Sequence, residues 1–428
     1  MKINFLSILI IFSVFLNAQS YFSSIVPLEN YENGAVQESM GGSGLINFSA
    51  HSEFDSLFLF SLDMNFNNIS ERRSFAVIDM FEDVVTQNDY VLNRSFFSSS
   101  RWTFGFNLKK WTPIPIFISF SQAPYWDLRY KYEEEIRGSL GSGIYNRDPV
   151  VGYHLYNIDG IINARKFNIA SKINKKIKIG FGFSQTQSTL ITQEIGALVL
   201  EMNEALSSDT TNVNNYKLNA NNSLRYNLSS IFSISSKLNI GFEYKSSFDI
   251  IFNTNGFIPG KSQKTLLPNL VLSDSLVSYT ISSPSYINIG FTSILNNDIK
   301  SSLSANIIYT DWEKVDKVFI DNIDTLDYNY NSAWTLQLGV EHFILQKTPF
   351  RFGFTHQGSP FGQEFERTKF SLGTGWKWGN TNLDLTAVFT GQEYQYPDIF
   401  ILNGQDSESL DTVDESRVLI KLSLNYKL

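Results

Sequence analysis

Four histidines, His51, His154, His342 and His356, are the candidate general bases of this 428-residue chain, and none stands in a recognisable catalytic setting. Hydrolysis needs a nucleophile, a base and an orienting group brought together. His356 with Ser359 is the nearest approach to a serine–histidine pair, and spacing alone does not make one. The acidic stretches Asp316 to Asp327 and Asp406 to Glu415 offer carboxylates to divalent cations but lack the Asp-x-Asp-x-Asp-Gly spacing of a calcium loop. They read as solvated loop charge. No catalytic residue, metal site or cofactor is therefore assigned. Lys245 and Arg351 are cations that could meet a carboxylate head group, but each reads first as a paired residue of the lumen.

The elements that would carry such residues are strands. In Arg417 to Leu428, the side chains Val418, Ile420, Leu422, Leu424, Tyr426 and Leu428 share one face of an extended chain, and Lys421, Ser423, Asn425 and Lys427 share the other. A membrane-crossing strand of ~9–11 residues has this pattern, with one face for lipid and one for a polar lumen. The pattern recurs in pairs. Trp102, Phe104, Phe106 and Leu108 turn into Ile114, Ile116, Ile118 and Phe120, and five more pairs turn near 174–176, 235–237, 296–298, 347–349 and 379–380. With a single strand near Leu57 to Asn65 and the C-terminal strand, the total is fourteen. Short turns alternate with long connections, among them 65–97, 122–162, 188–221 and 251–283. This predicts an all-β, fourteen-stranded antiparallel transmembrane β-barrel, with short periplasmic turns, long extracellular loops and both termini in the periplasm.

Composition agrees. Aromatic residues make up 15% of the chain and charged residues only 18%, which suits a lipid-facing band with aromatic girdles. A net charge of −8 without a basic stripe argues against nucleic acid, and the absence of cysteine excludes acylation as a lipoprotein and disulfides. Met1 to Ala18 has one lysine, an apolar run from Phe5 to Leu16 and a small residue before Gln19, the pattern of a cleaved secretory signal too short to span a bilayer. The division expected is a signal over 1–18, a polar periplasmic or luminal segment over 19–54 and the barrel over 55–428. Glycines 105, 180, 182, 241, 290, 339, 353, 373 and 375 fall on the polar, inward face, leaving either room for a plug or simply curvature.

Between the signal and the first strand lies Ala35-Val-Gln-Glu-Ser-Met-Gly-Gly-Ser-Gly44, too polar and glycine-rich for a membrane strand. Together with fourteen strands, this resembles the FadL/TodX family of outer-membrane transporters for long-chain fatty acids and other hydrophobic compounds. Pro284-Ser-Tyr-Ile-Asn-Ile-Gly290, Tyr309-Thr-Asp-Trp312, Trp334-Thr-Leu-Gln-Leu-Gly339 and Phe350-Arg-Phe-Gly-Phe354 are similar to the family's order of motifs, Tyr-Thr-Asp-Trp being the most specific. The resemblance implies an N-terminal hatch inside the barrel, here Met40, Gly41, Gly42, Gly44 and Asn47. It differs in one place, since Asn47-Phe48-Ser49-Ala50 lacks the proline of the family's Asn-Pro-Ala element. It also implies an apolar groove in the third and fourth extracellular loops leading to a pocket above the hatch. The third loop supplies Ile195, Leu198, Val199 and Met202 at helical spacing, and the fourth supplies Phe252, Phe257 and Leu266. Large apolar side chains in such loops either pack on one another or form a binding surface.

Two functions compete. One is passive uptake of a hydrophobic small molecule such as a long-chain fatty acid by a monomeric barrel in contact with outer-membrane lipid. The other is support of type IX secretion, as in a similar fourteen-stranded branch typified by PorV that docks secreted proteins.

Overall fold

A strand in lipid must have both of its edges hydrogen-bonded, and a set of alternating strands meets that demand by closing on itself. The computed structural model describes residues 21–28, 32–45, 57–81, 83–137, 150–200, 212–261, 268–272, 275–296, 301–315, 317–320, 323–345, 347–400 and 410–428. Among these, fourteen strands form a closed barrel. Each pairs antiparallel with its neighbours, and the last strand, Asp411–Lys427, closes on the first, Phe58–Ile78, from Leu59 opposite Lys427 to Ser74 opposite Thr412. The two faces of that last strand divide as the alternation predicts: Ile420 and Leu424 are exposed on the outer wall, while Lys421 and Ser423 are buried in the lumen. Phe181, Leu338, Phe352 and Phe370 continue the exposed apolar band on other strands. The six short connections fall after Asn107, Lys172, Ser233, Asn296, Ile344 and Trp378, at one end of the barrel.

The other end differs from the expected run of loops. Several wall strands break for a few residues and then continue, and the continuations form a second, eight-stranded sheet. Tyr130–Arg137, Val150–Asp159, Thr189–Val199, Asn212–Ala220, Phe248–Thr254 and Val277–Ser283 all belong to it. The helix expected from the spacing of Ile195, Leu198 and Val199 is absent there. That segment is a strand, paired with Val150–Asp159 on one side and Asn212–Ala220 on the other. Two ladders satisfy its backbone, whereas a short isolated helix has a costly nucleus. The connection expected over 65–97 is likewise a hairpin of two long strands, Phe58–Ile78 and Val84–Asn107. Around Arg72 and Arg73 it is charged on both faces, Arg72 ion-paired to Asp89 and Asp414 and Arg73 to Glu71, so the apolar alternation breaks off there.

Inside the long-loop end sits the main apolar core. It joins barrel residues such as Trp126, Tyr394 and Val413 to outer-sheet residues such as Tyr130, Tyr156 and Phe252, and to Tyr21, Phe22, Ile25 and Val26 of the N-terminal segment. The C-terminal strand ends among the short turns, whereas the first described residues, Tyr21–Ile25, form a short helix in this core at the opposite end.

The outward band sets a testable cost. Leu338→Arg, which places a guanidinium on the exposed mid-strand wall, is expected to destabilise the barrel by about 2–4 kcal/mol. Urea unfolding in lipid vesicles measures it.

Candidate ligand chamber and plug

The N-terminal segment descends from the aromatic core into the lumen and turns there. A single turn of helix, Ala35–Glu38, leads into Gly41 and Gly42, both at positive φ (67° and 78°). At this turn the plug backbone touches the wall backbone. A Cβ on Gly353 would lie 1.9 Å from the Gly41 nitrogen, and one on Gly339 would lie 2.6 Å from Cβ of Met40. Room for a plug is therefore what these inward glycines provide. Hydrogen bonds complete the seat. Thr355 Oγ1 donates to the Gly41 carbonyl at 2.6 Å, and Thr386 Oγ1 donates to that of Ala35 at 2.6 Å. The Ala35 amide donates to Ser423 Oγ at 2.8 Å, and Asn306 accepts from the Gly44 amide at 2.9 Å. Each is worth about 0.5–1.5 kcal/mol net.

On the other side the plug is held by charge. Glu32 bridges two wall lysines, Lys166 and Lys245, with Lys245 Nζ 2.8 Å from Glu32 Oε2. Arg101 donates to the Glu32 carbonyl there, while Lys421, opposite Thr386 on the seat side, donates from Nζ to the Asn33 carbonyl at 2.7 Å. Burial by itself would raise the pKa of Glu32, but the attraction and hydrogen bonds of Lys166 and Lys245 outweigh it and hold the carboxyl well below the usual range. Four strands thus each present a cation to the segment between Glu32 and Glu38.

Above the plug lies a cavity of about 190 Å³. Its floor includes Gly41, Gly42 and Glu32, and its walls mix Arg225, Lys245 and Gln337 with Tyr125, Ile308 and Trp312. Trp312 and Ala333 also belong to the aromatic core, so cavity and core share a boundary. Within that core Tyr21 lies 5.6 Å from Tyr130 and 5.4 Å from Tyr396, and Phe22 lies 4.9 Å from Phe361 and 5.0 Å from Phe365, ring to ring. The plug's own side chains fill an aromatic chamber.

The residues singled out from sequence distribute unevenly. Met40, Gly41, Gly42 and Gly44 form the plug turn, and Asn47 lies outside the described residues. Phe252 and Phe257 are buried in the aromatic core, Phe252 against Trp126 and Tyr279 and Phe257 against Tyr156 and Tyr216. Ile195 packs at the margin of that core, Leu198 and Val199 are half-buried in their strand, and Met202 and Leu266 lie outside the described residues. Lys245 lines the cavity. Arg351 does not; it is clasped by Glu341 at 2.6 Å and Asp384 at 2.9 Å, two residues nearer the short turns than Gly353, and is corrected to a structural ion-pair residue. His356 and Ser359 are not partnered to each other either: His356 faces Glu366 at 3.1 Å, and Ser359 Oγ accepts from the Phe361 amide. Sequence reasoning missed Glu32, Lys166, Arg101, Tyr21 and Phe22. Tyr21 and Phe22 carried a signal, being paired aromatics that open a short apolar run with Ile25, Val26 and Leu28, whereas Glu32 carried none.

A closed fourteen-stranded barrel whose lumen is stopped by its own N-terminal segment is a plugged membrane channel. Residues 161–399 match the family model described as outer membrane protein transport protein (OMPP1/FadL/TodX), and the chain belongs to that family. The fold is shared with solved structures of low sequence identity. A FadL homologue from Pseudomonas aeruginosa superposes with a TM-score of 0.62 at 14% identity, covering 94% of this chain and 99% of that one. The toluene transporter TbuX from Ralstonia pickettii gives 0.56 at 13%, covering 92% and 98%. The toluene transporter TodX from Pseudomonas putida gives 0.59 at 11%, covering 94% and 99%. No curated protein matches in sequence.

Two outcomes follow from the seat of the plug. Gly353→Leu is expected to lift the plug and raise the ion conductance of the barrel in planar bilayers, whereas Gly391→Ala, with no atom near the added Cβ, leaves conductance unchanged. A depressed carboxylate contributes its stabilisation above its unfolded pKa, about 4.3 for Glu, and loses it only as pH falls through the lower folded value. Wild-type conductance is therefore expected to stay low from neutral pH down to about 5 and to rise only under stronger acid.

Proposed function

We propose that this protein is an outer-membrane channel for passive uptake of hydrophobic small molecules, long-chain fatty acids among them. The long-loop end faces outward, and the short turns with the C-terminal strand face the periplasm. The observation that carries this reading is the aromatic chamber beside the cavity, filled by Tyr21, Phe22, Ile25 and Val26. A site that accepts four apolar side chains of the plug has the size and chemistry to accept an apolar guest in their place. Fatty acids and aromatic hydrocarbons such as the toluene carried by TodX and TbuX are the candidate classes. A break in the wall supports a sideways exit. The ladder between Val84–Asn107 and Ile116–Asp127 runs only from Asn107 opposite Phe117 to Trp102 opposite Gln122, and the next ladder has an irregularity between Pro124 and Trp126.

One observation favours the second reading, docking of secreted proteins. The tip of the first hairpin exposes Ile78, Met80, Phe81, Val84 and Val85, an apolar surface at the far reach of the long-loop end.

Native mass spectrometry of the purified protein, followed by lipid extraction and by addition of fatty acids, separates the two. Uptake requires a hydrophobic adduct in the barrel. Tyr21→Ala with Phe22→Ala is expected to increase its occupancy, because the chamber loses its own occupant. A barrel that neither carries nor accepts any hydrophobic ligand sinks the uptake reading and leaves the docking one.

A further inference from the structure

The first hairpin outruns the strands beside it. Asp411–Lys427 pairs with Phe58–Ile78 only as far as Ser74 opposite Thr412, and Ile116–Asp127 pairs with Val84–Asn107 only as far as Trp102 opposite Gln122. Above both points the hairpin is a two-stranded ribbon with no further ladder among the described residues. Such a ribbon is marginal in water until a third strand joins it. Bulges at Val85 and Tyr90 twist it, and between them Thr86–Asp89 keeps a regular ladder to Ser74–Val77. Lysine and proline, which commonly blunt an open edge, are absent from Phe75–Asn93. A second open edge stands next to it. Tyr130–Arg137 is the terminal strand of the outer sheet, laddered only to Val150–Asp159 among the described residues. The Glu133 amide donates to Asn93 Oδ1 at 3.2 Å, and no ladder joins the two edges. Asn93 Nδ2 is buried with no acceptor among the described residues. Beside this contact lies a cavity of about 370 Å³, lined by Asp89, Leu92, Asn93, Glu133, Glu135 and Tyr153 among others. Glu133 and Glu135 are exposed, whereas the one cation among its described lining residues, Arg72, is held by Asp89 and Asp414.

We propose that this cleft docks an extended segment of another protein, which adds as a third strand along Thr86–Asn93 and sets basic side chains against Glu133 and Glu135. The site lies outside the lumen and does not depend on the uptake reading. In strand addition, main-chain hydrogen bonds supply affinity and alternate side chains supply selectivity. Every second N–H and C=O along an edge strand points away from its partner, so Thr86–Asn93 offers a row of donors and acceptors. A segment laid there also brings carbonyls to the end of the cleft where Asn93 Nδ2 lacks an acceptor. Side chains of an extended segment alternate between two faces. One in which lysine or arginine alternates with apolar residues therefore offers cations to the carboxylates and apolar groups to Leu92 and Tyr153. Two other occupants fit less well. A second copy of this hairpin brings its own carboxylates, Asp79 and Asp83 of the exposed tip among them, and an anionic lipid surface brings phosphates. Like charges across an interface disfavour both.

The test uses the full-length protein in phosphatidylcholine nanodiscs and three short labelled peptides. One alternates lysine with valine, one alternates glutamate with valine, and the third is the lysine–valine peptide N-methylated at every residue, which keeps its charge and has no amide to donate. Binding is read by fluorescence anisotropy and by hydrogen exchange. The lysine–valine peptide is expected to bind at least about tenfold more tightly than either of the others, and to slow exchange across Val84–Asn93 by a similar factor. Glu133→Lys with Glu135→Lys is expected to reverse the preference in favour of the glutamate peptide. If that variant does not fold, the N-methylated peptide on the wild-type protein carries the test. Equal binding of the N-methylated peptide overturns strand addition, because charge alone then accounts for the attraction. Equal binding of the lysine and glutamate peptides overturns the basic partner. Binding matched by empty nanodiscs, exchange slowed elsewhere and not over Val84–Asn93, or no binding at all overturns the site, and each of these leaves uptake of hydrophobic compounds standing.

Discussion

Closure of the wall is the constraint from which the rest follows. Once Asp411–Lys427 pairs with Phe58–Ile78, the sheet has no terminal strand, and the apolar faces of its strands in the membrane band have to point outward. The inward faces then surround a lumen that a barrel this wide cannot fill with its own side chains. Its polar residues need partners, and the N-terminal segment supplies them. Lys421 is an example: it is buried on the inner face of the closing strand, and it meets the carbonyl of Asn33 and, at 3.9 Å, the carboxylate of Glu38. The plug is thus the complement of the lumen's hydrogen-bonding and charge, as the lipid is the complement of the outer wall.

Most of the barrel was legible in the sequence because period-two alternation is a direct image of two different solvents. Ile420 and Lys421 differ in side chain because one faces hydrocarbon and the other faces the plug. Where both sides of a strand meet similar surroundings, the image disappears. Around Arg72 and Arg73 the first hairpin is charged on both faces, and the alternation that marks a strand breaks off there. The outer sheet is hidden for the opposite reason. Ile250 and Phe252 are buried apolar residues of a strand outside the membrane band, and their spacing says nothing about which neighbours they meet.

The plug was legible in its turn and not in its latch. Gly41 and Gly42 need positive φ and close approach, requirements written in residue type. Gly339, Gly353 and Gly373 of the wall are the matching half of the same requirement, whereas Gly105, Gly182, Gly290 and Gly375 face wall side chains. Glu32 and Lys245 are 213 positions apart and ordinary in their local surroundings. Only the three-dimensional register of the wall brings them together. Arg351 shows the converse: an inward arginine suggested a head-group contact, yet its carboxylate partners Glu341 and Asp384 come from adjacent strands and occupy it fully.

The plug is attached differently on its two sides, and that asymmetry decides how it can move. Toward strands Thr348–Gln357 and Thr381–Tyr396 it is seated by backbone contact and hydrogen bonds to Thr355 and Thr386. Toward strands Val84–Asn107, Ile161–Lys172 and Leu238–Lys245 it is tied through Arg101, Lys166 and Lys245. Close packing of glycine backbones depends on shape, which an ion or a water molecule does not reproduce. Ionic contacts beside a cavity do have substitutes, because water, salt or another anion can take either half of the pair. If the plug moves during uptake, the charged side is the one able to loosen first, about the glycine seat. The strands that carry Arg101 and Lys166 flank Ile116–Asp127, whose ladder with Val84–Asn107 breaks off above Trp102 and Gln122.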